Sequence, residues 1–300
     1  MAAVDAQRST ADQGGPSPGA LDADFAGLDA LELVTAPERG AAARVWSAAW
    51  PKLGAAALAV FLWQCVVWSG WKPEYILPGP ARTLSVLREG LADGTIGDSV
   101  VNTMRRAVTG FALAVVIGGT IGAVLTRVAL VRVAFGSLIT GLQTMPSVAW
   151  FPLAIVLFQL SERAILFVVV LGAAPAIANG LIQGADTIPP ILLRAGRVLG
   201  ARGLTMVRHV VLPAALPSFL GGLKQGWAFA WRSLMAGELL VIIGNKPSLG
   251  SQLEINRQLA AYDGLVAFMV VILVIGIIVD SLVFGFAERA VRRRYGLLVE

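Results

Sequence analysis

Charge is what this sequence has least of: Asp, Glu, Lys and Arg make up 14% of it, against about 25% in soluble domains. Most of the chain therefore cannot be a water-soluble globule. Cysteine occurs once, as Cys65, so an intrachain disulfide is excluded, and its apolar neighbours suit a small buried hydrophobe. Histidine also occurs once. His209 has no second His or Cys at metal-ligand spacing, which leaves it a solvated loop residue and gives no metal site. No GxxxxGK[ST] is present, so the chain has no loop of its own to cradle ATP phosphates. HExxH is missing too, and with it the usual zinc-hydrolase constellation, so no catalytic residue is assigned and the chain is not read as an enzyme.

What the chain has is apolar length. Hydrophobic residues make up 56% and the mean hydropathy is +0.74, the composition of an all-α, polytopic membrane protein with about six transmembrane helices. Only residues 1–50 depart from it. They carry seven acids, Asp5, Asp12, Asp22, Asp24, Asp29, Glu32 and Glu38, without a sustained apolar period, and read as a disordered cytoplasmic tail. No basic segment followed by an apolar core begins the sequence, so the first span itself is expected to direct insertion. The isoelectric point near 9.9 comes from basic residues scattered over loops, which argues against a nucleic-acid partner.

Residues 51–75 hold the first span, about Leu53–Trp71, with Trp68 and Trp71 at a lipid–water boundary. Residues 76–300 form the core. Segment 81–104 is too polar to cross and reads as a surface-lying helix. A second span covers about Ala107–Leu125, where Gly118 and Gly122 lie four apart and let another helix approach closely. Pro146 and Pro152 interrupt the uncharged run after Arg132, which predicts a helix to about Gln143, a break, and a third span near Val148–Leu160. Spans four to six are expected at about Ala164–Gln183, Phe219–Gly244 and Leu265–Phe286.

Between the fourth and fifth lies the basic, half-apolar stretch 189–217. Pro189 and Pro190 suit a helix start. Ile191, Leu192, Ala195, Val198 and Leu199 then share one face while Arg194 and Arg197 point elsewhere. Gly200 permits a turn. A second short helix follows through Leu204, Val207 and Val211, and Leu212-Pro213 is expected to stop it. An amphipathic helix pair lying on the lipid surface is the alternative reading of this stretch.

These residues resemble the cytoplasmic coupling loop of the permease subunits of binding-protein-dependent ABC importers. That motif is Glu-Ala-Ala, three residues, Gly, nine residues, Ile, one residue, Leu-Pro. Here Arg194-Ala195-Gly196, Gly200, Val210 and Leu212-Pro213 fill it with every spacing kept, arginine standing where the motif has glutamate and glycine where it has its second alanine. Met145-Pro146-Ser147-Val148-Ala149-Trp150-Phe151-Pro152-Leu153-Ala154 is similar to the nitrate, sulfonate, taurine and bicarbonate branch, as are Ser248-Leu249-Gly250 and Asp263. The resemblance implies the type I importer transmembrane fold. It also implies a partner ATPase dimer that holds ATP and Mg, no cofactor on this chain, an extracytoplasmic solute-binding protein, and a second permease copy forming a homodimer in the bacterial inner membrane. On the coupling face, Leu199, Leu204 and Val207 are expected as apolar anchors, with Arg194 and Arg197 reaching acidic groups.

The fifth span is unusual in holding Lys224, Arg232 and Glu238, since ionisable groups in a bilayer face protein or a water-filled cavity. Lys224, Trp231 and Glu238 are seven apart and fall within about 40° of one another on a helix. Trp227 and Met235 join that face, with Arg232 to one side. Two readings fit: the face lines the path of a small solute, an anion by charge complementarity, or its charges pair with neighbouring helices and fix the fold. An ion-coupled secondary transporter is the alternative function, although it would need polar residues spread over several broken helices. Lys and Arg number 14 on segments inside and 8 outside when both termini and 189–217 are cytoplasmic, the orientation the positive-inside bias favours.

Overall fold

The computed structural model describes residues 41–244 and 246–294; the expectation for residues 1–40 lies outside them. The chain divides into two compact units, residues 1–62 and 63–300. Helix α1 begins at Ala41 in the first and ends at Trp68 in the second, so the last ten residues assigned to the tail are helical. Alanine accounts for this, being the best helix former and frequent from Ala41 onward.

In the second unit the helices are α2 (Pro80–Ala92), α3 (Thr95–Arg127), α4 (Ala129–Thr144), α5 (Phe151–Phe158) and α6 (Glu162–Asp186). They continue as α7 (Pro190–Val198), α8 (Gly203–Met206), α9 (Leu212–Leu240), α10 (Leu249–Gln258), α11 (Tyr262–Ile278) and α12 (Gly285–Arg294). Four stretches, Ala49–Trp68, Thr95–Arg127, Glu162–Asp186 and Tyr262–Arg294, are long and apolar enough to cross a membrane. The α4 segment from Arg132 and the helical stretch Ser147–Phe158 are together long and apolar enough for a fifth but bend by 102° at Met145-Pro146, the form of a broken span or a re-entrant loop. Helix α9 is long enough, at 29 residues, but carries the three charges noted above.

The surface helix expected over 81–104 is two elements. Gly94, left-handed at φ +83°, ends the turn after α2, and residues 95–104 are the first turns of α3. The charges that make the segment too polar to cross, Arg88, Glu89 and Asp93, all precede Gly94, whereas Ser99 and Thr103 within α3 face protein and are buried.

Helices α3, α6 and α9 form the centre. Lipid tails are as apolar as leucine, so membrane helices gain little from hiding apolar side chains and associate by close packing. Small residues supply it: a Cβ on Gly118 would meet the Ala174 carbonyl, and one on Gly122 would lie 2.9 Å from that of Ala178. Helices α3 and α6 therefore run parallel in contact. Across the antiparallel α6–α9 pair, a Cβ on Gly222 would fall 2.5 Å from the Gly180 Cα. At one end of this core, the loop end, Arg132 of α4 and Asp186 of α6 form a bidentate ion pair. Helix α2 is tied to the start of α11 by Arg82 and Asp263 at 2.7 Å.

Candidate functional site

The stretch from Pro190 to Val211 folds as a knuckle. Proline opens α7 and the helix ends in a Schellman turn: the Ala201 N–H donates to the Gly196 carbonyl at 2.9 Å and the Gly200 N–H to that of Arg197 at 3.0 Å. Gly200, at φ +84°, occupies the left-handed position this turn requires. Gly196 is buried, and a Cβ there would sit 2.9 Å from Val210 and 3.0 Å from the Met206 sulfur. Glycine at this motif position lets the two arms close on each other.

The returning arm differs from expectation. Leu212-Pro213 does not stop it: α8 passes through a π-helical turn, Val207–Val211, straight into α9. Proline in the first turn of a helix gives up an N–H that has no partner there in any case, so the motif's proline starts the long helix. The returning arm of the knuckle is thus continuous with α9.

Its tip is apolar and uncovered. Val198 is 87% exposed, Leu199 85% and Ile191 70%, while Val207 and Val210 are half-buried. Arg194, Ala195, Arg197, Arg202 and Arg208 are exposed around them, and no Asp or Glu occurs between Asp186 and Glu238. Leu204 lies in the backbone of α8.

On α9 the expected face divides by depth. Lys224 pairs with Asp280 and Glu288, each at 3.3 Å. Trp227 is buried, edge-on to Phe111 and stacked with Trp231 at 6.3 Å. Trp231, Arg232 and Met235 line an open groove of about 700 Å3 bounded by Met269, Leu273 and Asp280. Arg232 also borders a second cavity of about 320 Å3, beside Gln143, Thr144 and Ser147 near the break between α4 and α5. Its guanidinium lies over the Phe229 ring at 4.9 Å, and it enters none of the ion pairs among the described residues.

Glu238 behaves differently. It is fully buried, at the end of the bundle away from the knuckle, and its carboxylate is completely engaged. Arg106 Nη1 donates to it at 3.0 Å, Thr103 Oγ1 at 2.9 Å and the Gly250 N–H at 3.1 Å. Thr103 Oγ1 in turn accepts from the Leu249 N–H. The Ser248-Leu249-Gly250 sequence now has a physical account. Ser248 and Ser251 form a capping box at the start of α10, Leu249 is buried, and a Cβ on Gly250 would lie 2.5 Å from that of Glu238. Sequence reasoning missed Arg106, Thr103 and Glu162, which closes the cluster through Arg106 and Lys246. Arg106 was legible only as a charge near the start of a span.

The chain belongs to the family described as binding-protein-dependent transport system inner membrane component, whose model matches residues 107–294; it is a multi-pass inner-membrane permease. It is 30% identical over 233 residues to a chain of Methanocaldococcus jannaschii named as an ABC transporter permease protein, with 76% of this chain and 86% of that one covered. To the taurine transport system permease protein TauC of Escherichia coli it is 25% identical over 247 residues, covering 81% and 87%. Among solved structures, the inward-facing MetNI methionine ABC transporter is similar at a TM-score of 0.55 and 20% identity, over 66% of this chain and 95% of that chain. This likeness shows the type I fold.

Proposed function

We propose that this chain is the membrane half of an ATP-driven importer that moves a small organic or inorganic anion, such as a sulfonate, taurine or nitrate, by alternating access. The observation that carries this reading is the knuckle: an apolar tip and four arginines held in the open by a glycine hinge. Such a surface needs a partner with an apolar cleft and an acidic rim. That partner is a dimer of ATPase subunits, which bind ATP and Mg and grip two copies of this chain, each at Arg194, Arg197, Val198 and Leu199. A solute-binding protein delivers cargo at the far end. Both termini and the knuckle are cytoplasmic, in keeping with the distribution of Lys and Arg.

Because the knuckle runs on into α9, closure of the ATPase pair tilts α9, and the bundle settles in whichever state the partner binds more tightly. Proline cannot adopt a positive φ. Gly200→Pro should therefore break the turn and lower solute uptake at least about 10-fold while the permease remains in the membrane, the loss expected when a coupling of about 1.4 kcal/mol or more is removed. Normal uptake with normal ATPase co-purification would overturn the assignment.

In the path, Arg232 is the cation best placed to meet an anion, with Trp231 and Met235 beside it. Lys224, Trp227 and Glu238 support this wall from behind. Arg232→Ala should raise the KM for the anion, and Arg232→Lys should restore part of it, since lysine keeps the charge but not the planar fork. Unchanged uptake kinetics in Arg232→Ala would remove Arg232 from the path.

A further inference from the structure

Between the far ends of α3 and α6 lies a cavity of about 120 Å3, walled by Asn102, Arg105, Arg106, Thr109, Glu162 and Lys246 over the apolar floor of Leu166. It has room for about four water molecules at ~30 Å3 each. Three of its walls are cationic and one is a carboxylate. Arg106 is 6% exposed; its Nη1 is committed to Glu238, but its Nη2 reaches Glu162 Oε1 only at 3.5 Å, longer than a good hydrogen bond. The same oxygen accepts from Lys246 Nζ at 2.9 Å. One carboxylate oxygen thus serves two cations. Arg105 adds a third positive charge and enters none of the ion pairs among the described residues.

We infer that this cavity is a binding site for a small oxyanion, and that the Glu162 carboxylate is its tethered occupant, displaced when a free oxyanion enters. Guanidinium and ammonium groups converging on one point are the donors that suit sulfonate-like and nitrate-like oxygens. Glu162 can vacate the site: it is the first residue of α6 and its side chain is 41% exposed, so its carboxylate can turn to water without disturbing the helix. Arg106 cannot leave, held as it is by buried Glu238. Once Glu162 turns away, Arg105, Arg106 and Lys246 face only the one buried carboxylate of Glu238, and the excess of positive charge is what a free anion would meet. The ligand class rests on the anion-import reading above; the excess of cations at the cavity does not.

The test is thermal unfolding of the full chain in detergent micelles, with methanesulfonate titrated at constant ionic strength against sodium gluconate. The midpoint should rise saturably. In Glu162→Gln the half-saturating concentration should fall about 10-fold, because the built-in competitor has lost its charge. In Arg105→Ala it should rise about 10-fold, the value of one charge-assisted hydrogen bond. Arg105 is exposed and outside the ion pairs, so Arg105→Ala should melt like the parent without methanesulfonate. The same dependence in all three proteins, or no saturation in any, would overturn the site. Uptake by the assembled transporter separates the two ideas. Saturable binding without uptake of methanesulfonate, taurine or nitrate sinks the import reading and leaves the site, whereas uptake without saturable binding sinks the site alone.

Discussion

Replacing Glu238 with alanine should destabilise the bundle by about 3–5 kcal/mol, the cost of leaving a buried charge without its partner. Arg106 would lose its short acceptor, keeping only Glu162 at 3.5 Å, and the Gly250 N–H and Thr103 hydroxyl would lose theirs. Glu238→Gln separates these contributions: the amide oxygen can still accept from Thr103 and Gly250, but the positive charge of Arg106 is no longer neutralised. It should fall between the parent and Glu238→Ala. Pairing Glu238→Leu with Arg106→Met removes both charges and should recover part of the loss, because two apolar side chains of similar volume often cost no more than a buried ion pair. The measurement is reversible unfolding in mixed micelles, with the yield of monodisperse full chain as a second readout. A Glu238→Ala protein as stable as its parent would show that the cluster does not hold α3, α9 and α10 together.

This cluster marks the limit of what the sequence discloses. Lys224, Arg232 and Glu238 stand out because they interrupt an apolar run, and spacing alone puts Glu238 on the face of Trp231. Its partner Arg106 lies 132 residues away, and no local pattern connects them. Residues 95–104 are hard to place for a related reason: they follow Arg88, Glu89 and Asp93 with no apolar run of their own, yet Ser99 and Thr103 are buried against protein. The knuckle was legible because its devices are local. Gly200 serves a turn within the six residues 196–201, and the spacing from Arg194 to Pro213 is intact. Even there Leu212-Pro213 opens a helix instead of closing one, since proline is tolerated in a first turn and the preceding π turn carries the backbone into it. Gly118 and Gly122 announced a close contact by their four-residue interval. Gly180 with Gly184 and Gly222 with Gly226 repeat that interval at the close crossing of α6 and α9.

At that crossing, two adjacent glycines should respond in opposite ways. Gly222→Leu introduces a side chain where the opposing atom is the Gly180 Cα, 2.5 Å from the new Cβ. Backbone cannot step aside as a flexible side chain can, so α6 and α9 must separate. The cost should reach at least the upper end of the about 1–3 kcal/mol typical of overpacking. Gly221→Leu, one residue earlier, meets nothing within 4 Å. It should be neutral or gain up to about 1 kcal/mol, since glycine is the poorer helix former. The contrast bears on transport as well as on stability. From Leu212 to Arg232 is a lever about 30 Å long at 1.5 Å per residue, with the knuckle at one end and the proposed anion-binding arginine at the other. Contact with α6 midway along it makes the lever stiff. Gly222→Leu should therefore lower uptake even in protein that reaches the membrane folded, whereas Gly221→Leu should transport like the parent. Equal stability and equal uptake in the two variants would mean that α9 tolerates slack against α6, and that movement at the knuckle reaches Arg232 by some route other than a rigid helix.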